Sequence, residues 1–332
     1  MENNTAKPEV SVIMSFYNES LEWLRLAVES IQTQTFKDFE FIIICDNPKY
    51  DAAISYIQQA SVKDSRIRLL INKCNIGLTK SLNIGISQAV GEYIARMDAD
   101  DISLPERFEK QVRFLKEHPE ISVCASDVHV IDDDGRITRK NKYRSKYDSD
   151  WNFICNAQAH PSVMFRSDLK TLREKLYNED FKYAQDYELW QRLLLEGYQI
   201  DTIHEVLLLY RRSAKQISTQ NKVEQNGFFK KAHKELITGW LLKRGIISAD
   251  DCENLKVMLK KASSAFSCYR GTERHQLALI IYVLYFSIGT YSWWYRFRFL
   301  FDKNLITFRI RFVLTFRLFI SSRTRKNRSG FL

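Results

Sequence analysis

The chain predicts an α/β fold: a mostly parallel sheet with flanking helices, followed by a helical appendage at its C-terminal end. Three observations carry this expectation. Short runs rich in Val, Ile and Phe recur at 10–16, 39–45, 67–71 and 92–97, the composition of strands buried on both faces. Between them apolar residues return at helical spacing, Leu21, Leu24, Val28 and Ile31 in one connection and Leu78, Leu82 and Ile86 in another. Strand–helix–strand alternation builds parallel sheets through crossover helices.

The elements that follow continue the pattern with local signals of their own. Residues 121–125 and 128–131, with Asp134-Gly135 after them, read as a strand and a hairpin, and 161–165 as a further strand. Gln185-Asp186-Tyr187-Glu188 opens a helix that runs through Leu189, Leu193 and Leu194 and stops at Gly197. From about Asn221 to near Phe319 the pattern is helical. The expected organisation is therefore an α/β domain over 1–220, in halves of about 9–101 and 102–220, and a basic, aromatic helical region over 221–332.

Charge is distributed unevenly. The 332 residues carry a formal net charge of +10, and 296–332 alone hold ten Lys or Arg against one acid, Asp302. The body is nearly neutral, which excludes a polyanion-binding body, and no nucleic-acid recognition motif accompanies the tail. Residues 276–295 contain no charged side chain, yet Ser287, Gly289, Thr290 and Ser292 dilute their hydrophobicity. Next to Trp293, Trp294 and Tyr295, the basic and aromatic tail fits a segment lying at an anionic membrane surface, with a bilayer span by 276–295 and a soluble helical packing appendage as the alternatives. The cysteines, Cys45, Cys74, Cys124, Cys155, Cys252 and Cys268, form no CxxC pair, so neither a zinc ribbon nor a disulfide framework is indicated. Residues 1–9 lack the basic and apolar regions of a signal peptide, and the chain is expected to be cytoplasmic.

In open α/β sheets ligands sit beyond the carboxyl ends of the strands. Three of the first four strands are followed there by polar segments: Tyr17-Asn18-Glu19, Asp46-Asn47, and Asp98-Ala99-Asp100-Asp101. Three carboxylates within four residues repel one another, and burying them unpaired costs several kcal/mol, so either a cation answers them or they form a solvated acidic turn capping a helix that starts near Pro105. If the strand alternation continues, Asp98 and Asp100 converge and Asp101 points elsewhere. Two such oxygen ligands suit Mg²⁺ or Mn²⁺.

Read together, these segments resemble family 2 glycosyltransferases of the GT-A fold, whose sheet is Rossmann-like. The resemblance runs from Val10-Ser-Val-Ile-Met-Ser-Phe-Tyr-Asn-Glu19 through Asn75-Ile-Gly77, Gly91-Glu-Tyr-Ile-Ala-Arg-Met-Asp-Ala-Asp-Asp101, Pro105-Glu-Arg-Phe108 and Gln111. It continues in His160-Pro-Ser-Val-Met-Phe-Arg166, Gln185-Asp186-Tyr-Glu-Leu-Trp190 and Leu207-Leu-Leu-Tyr-Arg211, covering roughly residues 9–218. The nearest likeness is to the bacterial exopolysaccharide, capsule and O-antigen branch. Two positions depart from the family pattern: Cys45-Asp46-Asn47-Pro48 replaces two adjacent acids followed by Gly and Ser, and Gln185 stands where Glu is common.

The resemblance implies an inverting, metal-dependent transfer of a sugar from a nucleotide donor, UDP-hexose or UDP-N-acetylhexosamine. The implied acceptor is a polyprenyl-diphosphate-linked saccharide at the cytoplasmic face of the inner membrane. It implies that Ser15, Tyr17, Glu19, Asp46, Asn75 and Asp98 hold the nucleotide, Asp46 facing the uracil edge. Asp98 and Asp100 would hold Mn²⁺ or Mg²⁺, and Asp186 would be the catalytic base. At a helix start Asp186 is favoured in its ionised form, so it would accept the proton as the new C–O bond forms. His160 and His204 are weighed as cation ligands, with packing the more ordinary role; Lys80 and Arg211 read as a solvated lysine and an ion-pairing arginine. The competing readings are a nucleotidyltransferase, which lacks the Gly-rich, Arg-containing loop it would need after the first strand, and a catalytically silent nucleotide-sugar binder or membrane scaffold.

Overall fold

A computed structural model describes residues 7–141, 158–172, 174–213, 222–271, 273, 274, 276–278, 280, 281 and 284. Its described residues fall in two compact units, one through Ala232 and one from His233. The expectations for the stretch 285–295, the basic tail and the segment 150–157 lie outside the described residues.

The first unit opens with β1 (Val10–Phe16), α1 (Leu21–Gln32), β2 (Phe39–Cys45), α2 (Asp51–Lys63), β3 (Ile67–Ile71), α3 (Leu78–Gln88) and β4 (Tyr93–Asp98). It continues with β5 (Ile102–Ser103), α4 (Arg107–Glu117), β6 (Ile121–Ile131), β7 (Ile137–Asn141), β8 (Met164–Arg166), α5 (Gln185–Glu196) and β9 (Gln199–Arg211). One sheet runs β3-β2-β1-β4-β8-β6-β9-β5, with β7 beside β6. β1, β2, β3 and β4 are mutually parallel, as the alternation predicts, and β6 lies parallel to β9. β8 enters antiparallel between β4 and β6. This is the GT-A arrangement, a mostly parallel sheet with helices on its faces.

Burial explains the central strands. Every residue of β1 and β2 is buried; most are apolar or β-branched, and the polar pair Ser11 and Glu40 is satisfied by its own hydrogen bond at 2.6 Å. One face packs Val12, Met14, Phe41 and Ile43 against Leu24, Val28 and Phe108. The other packs Ile13, Ile42 and Ile44 against Leu82, Ile86 and Trp190. At Gly91, which leads into β4, a Cβ would lie 2.6 Å from the Ser11 amide nitrogen, so only glycine lets β1 and this turn approach so closely.

Three expectations change. The two predicted strands at 121–125 and 128–131 are one strand, β6, whose pairing with β9 shifts at Ser126 and Asp127. The predicted strand at 161–165 begins instead as a 3₁₀ turn, His160–Ser162, because Pro161 cannot donate to a ladder; pairing starts at Met164. β5 and β9 were not anticipated as strands.

The second unit takes the remainder of α6 (Lys222–Lys243), which begins in the first, and α7 (Leu255–Ala265). Ile237, Trp240, Leu241, Met258, Leu259 and Phe266 are buried in it. Arg244 stacks on Trp240 at 3.9 Å and pairs with Glu273. Among the described residues no helix is long and apolar enough to cross a membrane.

Candidate active site

The carboxyl ends of β1, β2 and β4 meet at one rim, as parallel register requires. Ser15 stands directly opposite Asp98 across β1 and β4, and Phe16 opposite Cys45, one residue before Asp46. β4 ends at Asp98 and the chain turns through Ala99 and Asp100. Alternation stops where the strand stops, and the expectation that Asp101 points elsewhere is corrected: oxygens of Asp98, Asp100 and Asp101 all lie within 4.8 Å of one another. Among the described residues no other group of three acids, cysteines or histidines gathers so closely.

The three acids have different surroundings. Asp98 is half-buried and paired with the Arg96 guanidinium, itself buried beneath the turn. Asp101 is fully buried; its Oδ1 accepts the Arg211 backbone N–H at 2.7 Å, and its Oδ2 has no hydrogen-bond partner among the described residues. Burial, and then the charges of Asp100 and Asp98, hold its carboxyl well above the usual carboxylate range. A buried carboxylate oxygen without a donor, facing two further carboxylates, is a place where a hard cation fits, and an all-oxygen donor set suits Mg²⁺ or Mn²⁺.

The residues expected on the nucleotide side follow the ends of β1, β2 and β3 and hold different partners. The Tyr17 amide donates to Glu19 Oε2 at 2.7 Å, while the Tyr17 ring is exposed. Burial, opposed by that hydrogen bond and aided by the nearby Asp98 charge, raises the Glu19 pKa. Asp46 is buried and accepts from Asn72 Nδ2 at 2.8 Å, Ile76 N at 3.0 Å and Gly77 N at 2.9 Å. Its carboxylate therefore anchors the turn ahead of α3, where Gly77 adopts φ +88°. Asn75 supports the same turn, its Oδ1 accepting from Gly77 N at 3.0 Å.

Asp186 lies in the first turn of α5, half-buried, its Oδ1 accepting from Tyr187 N at 2.8 Å. The preceding Ala184 is left-handed at φ 58°, the sole such non-glycine among the described residues. It is fixed by packing with Phe181, Tyr187 and Phe229. Tyr177 connects this helix to the acids: Arg96, Asp186 and Asp98 all act electrostatically on its buried phenol, which burial drives far upward in pKa. Its hydroxyl meets His160 Nε2 at 2.7 Å.

Neither histidine joins the acid group. His160 is engaged with Tyr177 and stacks edge-on to Trp190, and His204 faces Asp127 at 3.8 Å. Lys80 is solvated. The charge pattern does not reveal four buried arginines; Arg192 pairs with Glu188 within α5, and the other three bear on the acid turn and its strand. Arg96 pairs with Asp98; Arg107 donates to the Arg96 carbonyl at 2.7 Å and to Gln111 Oε1 at 2.9 Å; Arg211 is bound largely to carbonyls. Burial pulls Arg107 down to about 9. The one available signal for Arg96, Arg107 and Arg211 is their place in the strings Ala-Arg-Met-Asp, Pro-Glu-Arg-Phe and Tyr-Arg.

A mostly parallel sheet whose strand ends gather three acids at one rim is the frame of an α/β enzyme with its site beyond the carboxyl ends of the strands. The family model for glycosyl transferase family 2 matches residues 11–181, and the chain belongs to that family. An uncharacterized glycosyltransferase of Methanocaldococcus jannaschii is 40% identical over 208 residues, 62% of this chain and 71% of that protein. The amylovoran biosynthesis glycosyltransferase of Erwinia amylovora is 31% identical, over 63% of this chain and 78% of its own. The O-antigen biosynthesis glycosyltransferase WbnJ of Escherichia coli is 32% identical, over 61% and 79%. The crystal structure of S. aureus TarS 1–349 with UDP superposes with a TM-score of 0.55 at 17% identity, covering 78% of this chain and 72% of that one, which shows a common fold. TarS has also been solved with UDP-GlcNAc. The chain is a glycosyltransferase.

Proposed function

We propose that the chain is an inverting, metal-dependent glycosyltransferase of surface-polysaccharide biosynthesis. It takes a sugar from a UDP donor to a saccharide carried on a polyprenyl diphosphate. The observation that carries the reading is the convergence of Asp98, Asp100 and Asp101 at the strand rim, with a buried Asp101 oxygen lacking a donor. Support for the donor comes from the UDP and UDP-GlcNAc complexes of TarS, and for the pathway from the amylovoran and O-antigen relatives. The +9 tail supports association with the anionic cytoplasmic face of the inner membrane.

Asp98 and Asp100, with Asp101 behind them, would hold Mn²⁺ or Mg²⁺, which offsets the negative charge developing on the departing nucleoside diphosphate. Ser15, Tyr17, Glu19 and Asn75 line the nucleotide side, and Asp46 shapes it by fixing the turn at Gly77. An acceptor hydroxyl attacks the anomeric carbon opposite the diphosphate. Asp186 takes its proton as the new C–O bond forms and the bond to the diphosphate breaks, so an α-linked donor yields a β-linked product.

The test is Asp186→Asn with a panel of UDP- and GDP-sugars, Mn²⁺ and a short lipid-diphosphate saccharide, read by mass spectrometry. Transfer should fall by about 10²- to 10⁴-fold while UDP binding is retained. Retained turnover refutes the base assignment.

A further inference from the structure

Arg211, the last residue of β9, is buried to 1% exposure and touches three segments far apart in sequence. Its backbone N–H reaches Asp101 Oδ1 at 2.7 Å, and its Nε reaches the Asp100 carbonyl at 2.8 Å. Its Nη1 reaches the carbonyls of Asp132 and Asp133, at 2.7 and 3.0 Å, in the turn between β6 and β7. The guanidinium lies 4.9 Å from the centre of the Trp23 ring on α1, and Trp23 Nε1 donates to the same Asp133 carbonyl at 3.3 Å.

Within the acid turn itself, the Asp101 amide reaches the Asp98 carbonyl only at 3.5 Å, which is at the limit of a hydrogen bond. A turn bearing three repelling carboxylates would relax by swinging them apart. The two bonds from Arg211 oppose that, one to the main chain of Asp100 and one to the side chain of Asp101. We infer that Arg211 is a positioning residue for cation binding. Its planar fork holds the Asp100 carbonyl, and through it the acid turn, in a cation-ready geometry, using the 132–135 turn and Trp23 as its fixed anchor; the bond to Asp101 comes from the main chain and survives substitution. This rests on the proposed cation at the acid turn.

A structural alternative makes an opposite prediction. Arg211 brings positive charge close to the acids, and by charge alone its removal should tighten binding of a divalent cation. By positioning, removal should weaken it, and Lys, which keeps the charge but loses the fork, should weaken it too. The experiment measures Mn²⁺ binding to the full chain by electron paramagnetic resonance for wild type, Arg211→Lys and Arg211→Met. UDP binding is measured calorimetrically in Mn²⁺ and in EDTA.

Both variants should bind Mn²⁺ about tenfold more weakly, the usual effect of losing a group that orients a metal ligand. UDP affinity should fall in Mn²⁺ and stay at its wild-type value in EDTA. Unchanged or tighter Mn²⁺ binding in the folded variants overturns the inference, as does an equal loss of UDP affinity in both media. Where a melt shows a variant unfolded, Trp23→Phe carries the test, because it removes the donor to Asp133 and leaves Arg211 and the acids intact. It should weaken Mn²⁺ about threefold, and no change overturns the inference. A wild-type chain that binds no Mn²⁺ overturns the cation reading itself, a result distinct from variants that match a binding wild type.

Discussion

Replacing Gln34 by Leu isolates what holds the segment beyond the acids in place. The Gln34 side chain is fully buried at the end of α1. Its Nε2 contacts the carbonyls of Ser30 at 3.0 Å and Leu104 at 2.8 Å and the Ser103 hydroxyl at 3.1 Å; its Oε1 accepts the Phe108 N–H at 3.2 Å. That N–H is one of the unpaired donors of the first turn of α4, and the Ser30 carbonyl lies in the last turn of α1, so neither end has an intrahelical substitute. Leucine fills the volume and orphans the Phe108 N–H, while the Leu104 carbonyl keeps the Arg107 N–H at 3.1 Å and the Ser30 carbonyl keeps the Thr33 hydroxyl at 3.5 Å. At about 1–3 kcal/mol for the orphaned N–H and roughly 1 kcal/mol for each of the two carbonyl bonds lost, less about 1 kcal/mol for the better burial of leucine, the net loss is about 3 kcal/mol. For a unit of this size that is a drop of about 6–12 °C in the melting temperature. Gln34→Glu should be worse, since it turns a buried carboxylate toward two carbonyl oxygens. Circular dichroism melts of the full chain measure both. A Leu variant within about 1 °C of wild type, or a Glu variant more stable than the Leu variant, refutes the argument that these bonds set the local stability.

Two further predictions use other parts of the first unit. Burial, and secondarily the Arg96 charge, hold the His160 imidazole neutral well below its usual range, so the native state refuses a proton that the unfolded chain takes up near pH 6.5. The stabilisation is present above about pH 6.5 and is lost as the pH falls below it, by up to about 1.4 kcal/mol per pH unit. Urea unfolding at pH 7, 6 and 5 should show wild type losing ground to His160→Gln, and a pH-independent difference between the two would contradict the assignment. At Gly91 a new Cβ meets Ser11 N at 2.6 Å and Val10 C at 2.8 Å, both backbone atoms of a central strand. At Gly85 it meets only side-chain methyls, Ile13 Cγ2 and Ile44 Cδ1, each at 2.7 Å. Gly91→Ala should therefore cost more than the roughly 1–3 kcal/mol of ordinary overpacking expected for Gly85→Ala, and melts in the reverse order would sink this reading.

The parts of the fold legible in the sequence are those whose cause is local. β1 and β2 could be read because burial on both faces leaves predominantly apolar runs, broken only by Ser11, Ser15 and Glu40, and α5 because Gly197 takes the left-handed cap at its end. β9 could not, since Asp201, His204 and Glu205 interrupt it and its pairing with β6 skips register. β5 is only two residues long and exists because Leu208 and Leu209 pair with it. The acids were legible as a cluster, yet Asp101 was misdirected because the period of two ends with the strand at Asp98.

The same distinction explains why the support of the site was missed. A charged residue in a soluble chain is ordinarily exposed, so nothing in the local pattern marks Arg96, Arg107 and Arg211 as interior. Arg107 and Arg211 are tolerated there because carbonyl oxygens surround them. The Arg96 carbonyl takes a bond from Arg107, and Asp100, Asp132 and Asp133 take bonds from Arg211. A carbonyl lies in every residue and leaves no trace in sequence, and the partners of Arg211 lie 78 to 111 positions away. The acids that would hold the cation are therefore written in one short string. The geometry that makes them useful is set by donors from a strand on the opposite half of the sheet, which is why a substitution at Arg211 should be felt at a cation it does not touch.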